Sequence, residues 1–407
     1  MDRSELVELL SPEGLRLLDS LPPYESTADV VRMVSDLRKA GHAPGLVAAV
    51  LSQSRLRAKA VAKFGEFASR MLFTEAGLEQ ATRLRVAALH AGRFTGAGIH
   101  RVADLGCGIG GDAMAMAALE LDVSAVDTDE VTATIASYNL APFASANVTH
   151  AEAERIDLAG FDAAWLDPAR RTAGHGNTRR LTKPEDYSPS LPWAFELAER
   201  LPIGIKLGPG HDRDLIPQNA EAQWVSVDGQ LVEMGLWFGV LARDGIRRSA
   251  LLLTPGGVAE LTAPIDSEDA PVGTLGEYLY EPDGAVIRAR LIGDLARSLD
   301  AQMLSEGIAY LTSATVQDTP FATAFRVLES LPADEKKLRM ALQERHIGIL
   351  EIKKRGVDVD PATLRTRLRL KGTASGTLVL TRAAGHRVAL LVERAGDHST
   401  GSTTGGD

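Results

Sequence analysis

A glycine-rich segment between a predicted strand and a predicted helix is suited to binding a nucleotide-like molecule. It reads Asp104-Leu105-Gly106-Cys107-Gly108-Ile109-Gly110-Gly111. Glycines let the backbone turn tightly and approach a ligand without a clash from a Cβ atom. Asp127 ends the next predicted strand, about twenty residues further on, where a carboxylate can accept hydrogen bonds from ribose hydroxyls. The segment therefore predicts a cofactor site that includes a ribose.

Two kinds of cofactor fit this spacing. Gly106, Gly108 and Gly111 satisfy the dinucleotide pattern G-x-G-x-x-G, which is a weak signal by itself. Asp104 separates the alternatives, because a carboxylate at the strand end repels a pyrophosphate. S-adenosylmethionine has no phosphate and carries a sulfonium and an ammonium group. The sequence therefore favours S-adenosylmethionine over a dinucleotide, with a turn that binds no ligand as the third alternative.

A second polar segment, Asp167-Pro168-Ala169-Arg170-Arg171, follows the predicted strand Ala163–Leu166. Ligands of open α/β sheets bind outside the carboxyl ends of the strands, so Asp167 and the Pro168 carbonyl are candidates for holding an acceptor. Nearby basic side chains are candidates for holding phosphate groups: Arg170, Arg171, Arg179, Arg180 and Lys183. A strand-ending turn and a solvated loop are the alternatives.

The next predicted strand on the same edge, Ile203–Leu207, contributes Lys206, and His211 follows it in the loop. Both are candidates for lining an acceptor pocket, and both are also compatible with a loop position that has no chemistry. Cys107 is interpreted as a small residue that fills tight space, since the sequence places no histidine beside it as a base.

The elements that position these residues alternate in type. Residues 1–95 have apolar positions three and four apart and predict a helical lobe. Residues 96–245 alternate short apolar runs with helical patterns, which predicts a doubly wound, Rossmann-like parallel sheet closed by a hairpin at Asp228-Gly229. Residues 246–395 predict a small α+β domain, and residues 396–407, rich in Gly, Ser and Thr, a disordered tail.

Within residues 246–395 the patterns predict helices at Val286–Met303, Asp334–Glu344 and Ala362–Leu368. They also predict a strand at Ile347–Lys353 and a hairpin of Thr377–Thr381 with Val388–Val392.

Composition narrows the class of protein. The chain of 407 residues has 45% hydrophobic and 24% charged residues, as in soluble globular proteins. It has a single cysteine and no secretory signal pattern, so we expect a cytoplasmic protein without disulfides or a cysteine-rich metal site. We expect no metal cofactor.

Charge is unevenly distributed along the chain. The net charge is −10, but residues 335–394 hold 14 Lys/Arg against 6 Asp/Glu. This basic segment indicates that the C-terminal part meets an anion, with a solvated helix face as the alternative.

The segment DLGCGIGGD resembles the first motif of class I S-adenosylmethionine-dependent methyltransferases. The resemblance implies cofactor contacts from Asp104, Gly106, Cys107, Gly108, Gly110 and Asp127. In that family an acidic residue after the third strand often holds the adenine amino group, which implies Glu152 here, with Glu154 as the second candidate.

The segment DPAR resembles the (D/N)PP(Y/F) motif of amino-methylating enzymes. In those enzymes the acidic or amide side chain and a proline carbonyl accept the hydrogens of an amine, so that its lone pair faces the methyl group. Here Ala169 replaces the second proline and Arg170 the aromatic residue, for which Trp165 is a candidate substitute.

Nearly the whole chain is similar to a bacterial family of methyltransferases with a C-terminal THUMP-like domain. The similarity is carried by AKFGEFASRMLFTEAGLEQATRLRVAALHAGRF, by WLDPARR and by EIKKRGVDVDPATLRTRLRLKGTASGTLVLTR. THUMP domains are found in RNA-modifying enzymes and bind RNA, which agrees with the basic C-terminal segment. Together with the DPAR segment, this resemblance leads to the hypothesis of methylation of a base nitrogen in structured RNA, either tRNA or rRNA. The plausible phosphate contacts are Lys353, Lys354, Arg355, Arg365, Arg367, Arg369 and Lys371.

Two other functions stay open at this point. The enzyme could methylate a small molecule or a protein, or the chain could be a non-catalytic RNA-binding protein.

Overall fold

The computed structural model describes residues 1–22, 24, 27–170 and 186–395. They form two compact units, one of Met1–Leu207 with Leu236–Ala242 and one of Gly208–Gly235 with Arg243–Asp407. The predicted limits at residues 95 and 245 remain predictions. Among the described residues no helix has the length and apolar character needed to cross a membrane.

The first unit begins with helices only, as the apolar spacing predicts. Asp2 starts the first helix with a reciprocal capping box to Glu5, and Ser11 and Thr74 cap later helices through their hydroxyl groups. The helices are α1 Arg3–Leu9, α2 Pro12–Ser20, α3 Thr27–Lys39, α4 Pro44–Phe64, α5 Glu75–Gln80 and α6 Leu84–Gly96.

An alternating α/β region follows and confirms the predicted fold class. Its elements are β1 Arg101–Leu105, α7 Gly111–Ala118, β2 Asp122–Asp127, α8 Glu130–Leu140, β3 Ala146–His150, β4 Ala163–Leu166, β5 Ala169–Arg170, β6 Tyr187–Ser188, α9 Leu191–Ala198 and β7 Ile203–Leu207. The long strands lie in the order β7-β4-β1-β2-β3 and are all parallel. The order reverses direction between β1 and β4, where doubly wound sheets bind ligands.

Aromatic side chains fill the space between β4 and α6. Trp165 and Trp237 are fully buried with ring centroids 5.4 Å apart, and Phe94 meets both edge-on. His90 stacks on Trp165 at 4.4 Å. Trp165 is therefore a core residue and cannot stack on a substrate base, which corrects the expectation that it replaces the missing aromatic residue.

The second unit contains a mainly antiparallel sheet in the order β13-β14-β12-β15-β18-β17-β16. The elements after β7 are β8 Glu221–Val227, β9 Gln230–Trp237, β10 Arg248–Thr254, β11 Gly257–Ala263, β12 Tyr278–Pro282, α10 Gly284–Arg288, α11 Ile292–Ser298, β13 Gln302–Ser305, β14 Ile308–Ser313, β15 Ala322–Leu331, α12 Glu335–Glu344, β16 Ile347–Lys354, α13 Pro361–Leu368, β17 Ala374–Ala383 and β18 His386–Arg394.

Several C-terminal predictions are confirmed and one is wrong. β17 and β18 form the predicted antiparallel hairpin, with Thr377 opposite Val392. The predicted helix Val286–Met303 is instead α10, α11 and the start of β13. Arg290 and Asp300 interrupt it with φ angles of +60° and +48°, values that a helix interior cannot hold.

Candidate active site

Parallel pairing brings the ends of four strands to one edge of the first unit's sheet. Leu105 ends β1, Asp127 ends β2, Leu166 ends β4 and Leu207 ends β7. Because parallel strands share a direction, the segments that follow them meet at this carboxyl edge. The glycine segment and Asp167, both singled out from the sequence, therefore lie in the same region.

The glycine segment turns immediately after β1. The backbone N–H groups of Gly106 and Cys107 both donate to the Val126 carbonyl at 2.9 Å. Gly106 has a φ angle of +95°, and a Cβ atom added there would lie 3.1 Å from the carbonyl oxygen of Asp167. Gly110 has a φ angle of +85° and caps α7. Gly106 has a left-handed backbone and lies close to the carbonyl of Asp167, so a side chain would not fit there. Gly110 has a left-handed backbone directly before the first residue of α7, which also favours glycine.

Asp127 connects the glycine segment to β2. Its carboxylate accepts the Gly108 N–H at 3.0 Å and the Asp129 N–H at 2.9 Å. Burial raises the pKa of Asp127 although these two hydrogen bonds oppose the shift. Each carboxylate oxygen can accept more than one hydrogen bond, so Asp127 can still receive hydroxyl groups from a ligand.

Asp104 occupies a different position from the one expected. It is 1% exposed, and neither of its oxygens accepts a hydrogen bond from the part of the chain that the structure describes. Burial, reinforced by Asp112 and Asp167, raises the pKa of Asp104 well above its ordinary value. Gly106 and Cys107 form the cavity wall nearby. Asp104 is therefore buried beside the glycine segment and is not one of the residues that line the cavity.

A cavity of about 290 Å³ lies at this edge. Its walls come from the segments after β1, β2, β3 and β4, and from the helical lobe. The residues of the lobe that line the cavity are Thr74, Ala76, Gly77, Gln80, Ala81 and Thr82.

Asp167 lines the cavity beside Ala169. Its Oδ2 atom accepts the Lys206 ammonium at 2.5 Å, so β4 and β7 place opposite charges together. Pro168 is buried. The backbone of Arg170 pairs with Tyr187. Arg171 and the predicted phosphate contacts Arg179, Arg180 and Lys183 lie outside the described residues.

Lys206 also contacts residues of the helical lobe. Its ammonium donates to the Thr82 hydroxyl at 3.0 Å and to the Gln80 carbonyl at 3.3 Å. Thr82 in turn donates to Asp112 Oδ2 at 2.7 Å, and His90 Nδ1 lies 2.8 Å from Asp112 Oδ1. Asp112 follows the glycine motif directly in the sequence. That position was the one feature of the sequence that could have pointed to these hydrogen-bonded side chains.

The two acidic candidates after β3 differ in their surroundings. Glu152 is 55% exposed and forms an ion pair with Arg155 at 2.7 Å. Glu154 lies in a short 3-10 helix, Ala153–Arg155, and lines the cavity. The geometry thus favours Glu154, the second of the two sequence candidates, as a ligand contact.

Two side-chain amides hold the segment that leads to Thr74, and one of them also holds the cofactor loop. Asn139 of α8 donates to the carbonyls of Ile109 at 2.9 Å and Leu72 at 3.1 Å, and accepts the Leu72 N–H at 2.8 Å. Gln53 of α4 likewise holds the N–H and carbonyl of Phe73. The segment that leads to Thr74 is therefore fixed against the glycine segment.

Two further candidates from the sequence, Cys107 and His211, are buried. Cys107 is 9% exposed, and burial raises the pKa of its thiol, which agrees with a space-filling role. His211 is buried in the second unit. Within the described residues, no group of three or more His, Cys, Asp or Glu side chains could hold a metal ion.

The basic candidates of the second unit divide into two groups. Lys353 is half-buried and donates to Glu281 at 2.8 Å, and Arg355 lies 4.0 Å from the same carboxylate. Lys354 is exposed, as are Arg365, Arg367, Arg369 and Lys371. The second group is better placed to meet a phosphate.

Comparisons with known proteins identify the family. Residues 322–394 match a family model described as THUMP domain-like, and residues 2–60 match a domain of unknown function. Two relatives from strains of Mycobacterium tuberculosis are described as uncharacterized S-adenosylmethionine-dependent methyltransferases. Each is 34% identical over 349 residues, which cover 84% of this chain and 93% of the relative.

A solved structure shares the fold over almost the whole chain. It is a protein of Porphyromonas gingivalis described as a candidate methyltransferase, with a TM-score of 0.75 and 21% sequence identity. The match covers 98% of this chain and 100% of the other.

Proposed function

Since this chain belongs to the S-adenosylmethionine-dependent methyltransferases, we propose that it methylates a base nitrogen of structured RNA. In this proposal Asp167 and the Pro168 carbonyl orient the acceptor amine. The observation that carries the proposal is that Asp167 lines the same cavity as the glycine segment and Asp127. One cavity thus offers a cofactor cradle and a carboxylate that can hold an amine.

The residues around the cavity fit a cationic cofactor without phosphates. The carboxylates of Asp112, Asp127, Glu154 and Asp167 line it, and Asp104 is buried nearby. We assign Asp127 to the ribose hydroxyls and Glu154 to the adenine amino group. The backbone from Gly106 to Gly110 is assigned to the rest of the cofactor. When bound, S-adenosylmethionine supplies a methyl group on a sulfonium centre.

Asp167 contributes orientation. A carboxylate accepts hydrogen bonds from an exocyclic amine, and a carbonyl such as that of Pro168 accepts a second one. Two acceptors on one amine direct its lone pair along a fixed line. Fixing the direction of attack accounts for much of the acceleration in such reactions, and early removal of a proton is not required.

RNA is the acceptor class that the second unit favours. The THUMP domain-like match covers residues 322–394, which contain the whole basic segment. Its exposed cations, Lys354, Arg365, Arg367, Arg369 and Lys371, could neutralise backbone phosphates. Lys353 and Arg355 face Glu281 and stay in the proposal as secondary contacts.

Transfer of a tritiated methyl group tests the proposal. The full chain is incubated with labelled S-adenosylmethionine and total bacterial RNA, and the RNA is digested to nucleosides. We expect the label on a base, at a nitrogen, and we expect loss of labelling in Asp167→Ala. Label in protein or small molecules alone would rule out the RNA acceptor, and RNA binding without any turnover would favour a non-catalytic RNA-binding protein.

A further inference from the structure

A continuous chain of hydrogen bonds connects the core of the first unit to Asp167. It runs from His90 on α6 to Asp112 at the start of α7, then to Thr82, to Lys206 on β7 and finally to Asp167 after β4. Each contact is between 2.5 and 3.0 Å. Five different segments thus contribute one polar side chain each to a single path.

The donors and acceptors along the path are matched. The Lys206 ammonium has three N–H groups, and Asp167, the Thr82 hydroxyl and the Gln80 carbonyl accept them. These contacts leave Lys206 poorly placed to bind a substrate itself. The position of Lys206 is instead suited to holding the Asp167 carboxylate in place.

Thr82 sets the direction of the path. Its hydroxyl hydrogen is directed to Asp112 Oδ2, so an oxygen lone pair is left to receive Lys206. A valine has nearly the same shape, but its methyl group can neither donate nor accept a hydrogen bond, so it would interrupt the path at that point.

Asp112 fixes the far end. It is 6% exposed and lies in the first turn of α7, directly after the glycine segment. Burial acts to raise the pKa of Asp112, but the hydrogen bonds from His90 and Thr82 and the charges of His90 and Lys206 hold the pKa below its ordinary value. Asp112 is therefore a fixed negative charge to which Thr82 can remain bonded.

We propose that His90, Asp112, Thr82 and Lys206 form a positioning network that keeps the Asp167 carboxylate ionised and directed into the cavity. The network includes Asp112, directly after the cofactor loop, and ends at the Asp167 carboxylate. It therefore connects the cofactor loop with the group that orients the acceptor. The proposal rests on the proposed role of Asp167 as the acceptor-orienting group. Lys206 acts through Asp167 and is a positioning residue.

The other charged groups that face this pair are mostly carboxylates. Asp104 on β1 interacts with both Asp167 and Lys206, and Asp127 at the end of β2 faces Asp104. Lys63 on α4 is close enough for its charge to interact with that of Lys206. Without the Lys206 ammonium, Asp167 would lose its nearest cation while Asp104 stays nearby, so proton uptake by Asp167 would become easier.

The test follows the Asp167 carboxyl carbon by NMR in the full chain labelled with ¹³C at aspartate carboxyl groups. The Asp167 signal is identified by its disappearance in Asp167→Asn. We expect Lys206→Met to raise its titration midpoint by about one pH unit or more. Thr82→Val is expected to raise the midpoint less, because Lys206 is still present and keeps its hydrogen bond to the Gln80 carbonyl.

Thr128→Val is the matched control, since Thr128 lines the same cavity outside the network. It should leave the midpoint unchanged, and Lys206→Arg should restore most of it. An unchanged midpoint in Lys206→Met would overturn the proposal, and Thr82→Val provides the same decision if that variant does not fold. The measurement needs no acceptor, so a failure to label RNA would defeat the proposed function separately.

Discussion

The Nζ atom of Lys206 lies 2.5 Å from Oδ2 of Asp167, at the adjacent ends of the parallel strands β7 and β4. Lys206 is 12% exposed and Asp167 32% exposed. Partial burial strengthens the attraction relative to an ion pair in open solvent. The arrangement gives the site a carboxylate of defined direction, and the first prediction depends on it.

Replacing Asp167 should separate methyl transfer from cofactor binding. We expect Asp167→Ala to lower the rate of methyl transfer by about 100-fold or more, because the acceptor amine loses its orientation. Binding of S-adenosylmethionine, measured by calorimetry, should change little. Asp122→Ala is the control, since Asp122 lies at the opposite, amino end of β2 and is 53% exposed. A fall in cofactor affinity as large as the fall in rate would contradict the assignment.

Asp104→Asn should stabilise the free protein and weaken cofactor binding. The folded state raises the pKa of Asp104, so below the unfolded pKa the group is protonated in both states and costs nothing. As pH rises, the unfolded chain releases its proton first and wild type loses stability that the amide variant keeps.

Chemical denaturation at about pH 5 and about pH 8 checks this, and the stability difference should be larger at the higher pH. Calorimetry should show weaker binding of S-adenosylmethionine by roughly tenfold, because wild-type Asp104 can release its proton and become negative when the cationic cofactor binds, and the amide cannot. Equal stability differences at both pH values would show that Asp104 is not held protonated.

The two glutamates after β3 form a natural pair for comparison. Glu154→Ala should weaken S-adenosylmethionine binding by about fivefold to tenfold, the effect of losing one hydrogen bond to an amino group. Glu152→Ala should have almost no effect, since its carboxylate is already paired with Arg155 on the surface. Calorimetry with both variants decides the assignment, and the reverse order of effects would restore Glu152 as the adenine contact.

Lys63 should be important for stability although it lies outside the cavity wall. Its ammonium donates to the carbonyls of Leu78, Glu79 and Ala81 at 2.7 to 2.8 Å. Lys63→Met leaves these carbonyls without their donor, and we expect a loss of about 2–3 kcal/mol in the free energy of unfolding.

Cofactor affinity should fall as well, because Ala81 and its neighbours line the cavity. Lys59→Met is the control, one turn earlier on α4, since Lys59 is 52% exposed and forms a surface ion pair with Glu79. Denaturation curves of the two variants should differ clearly. Equal curves would show that the three carbonyls find water without cost.

RNA affinity should depend steeply on salt if the basic segment binds phosphates. Each phosphate contact contributes a slope of about −0.7 to −0.9 in a plot of log K against log salt concentration. The double variant Lys354→Ala, Lys371→Ala should reduce the steepness by about one to two. Arg326→Ala is the control, because Arg326 pairs with Glu393 on the surface. A filter-binding titration that is insensitive to salt would argue against this interface.

Much of the fold could be predicted because its signals are local. The limits of β4 and β7 follow from apolar runs, and the left-handed turn at Asp228-Gly229 follows from residue type. The helix predicted at Val286–Met303 failed because apolar spacing does not reveal that Arg290 and Asp300 adopt positive φ angles.

The site could be predicted only in part. The glycine segment and Asp127 carry a pattern that a sequence displays directly. Thr82 and Gln80 reach the cavity through the packing of α5 and α6, about twenty residues before the motif, and no local pattern records that contact. The choice between Glu152 and Glu154 depends on one short turn after β3, where neither helical nor strand periodicity applies.

Asn139 makes the helical lobe and the cofactor loop mechanically dependent on each other. A shortened chain that begins near β1 would expose the apolar faces of α7 and α8. The cofactor loop would then lose the packing that the helical lobe provides. Insertions or deletions between Phe64 and Thr74 would displace the backbone of Leu72, to which the Asn139 amide is hydrogen-bonded. Engineering of this protein should therefore treat the first hundred residues as part of the catalytic enclosure and confine grafts or tags to the outer surface of α1 to α3.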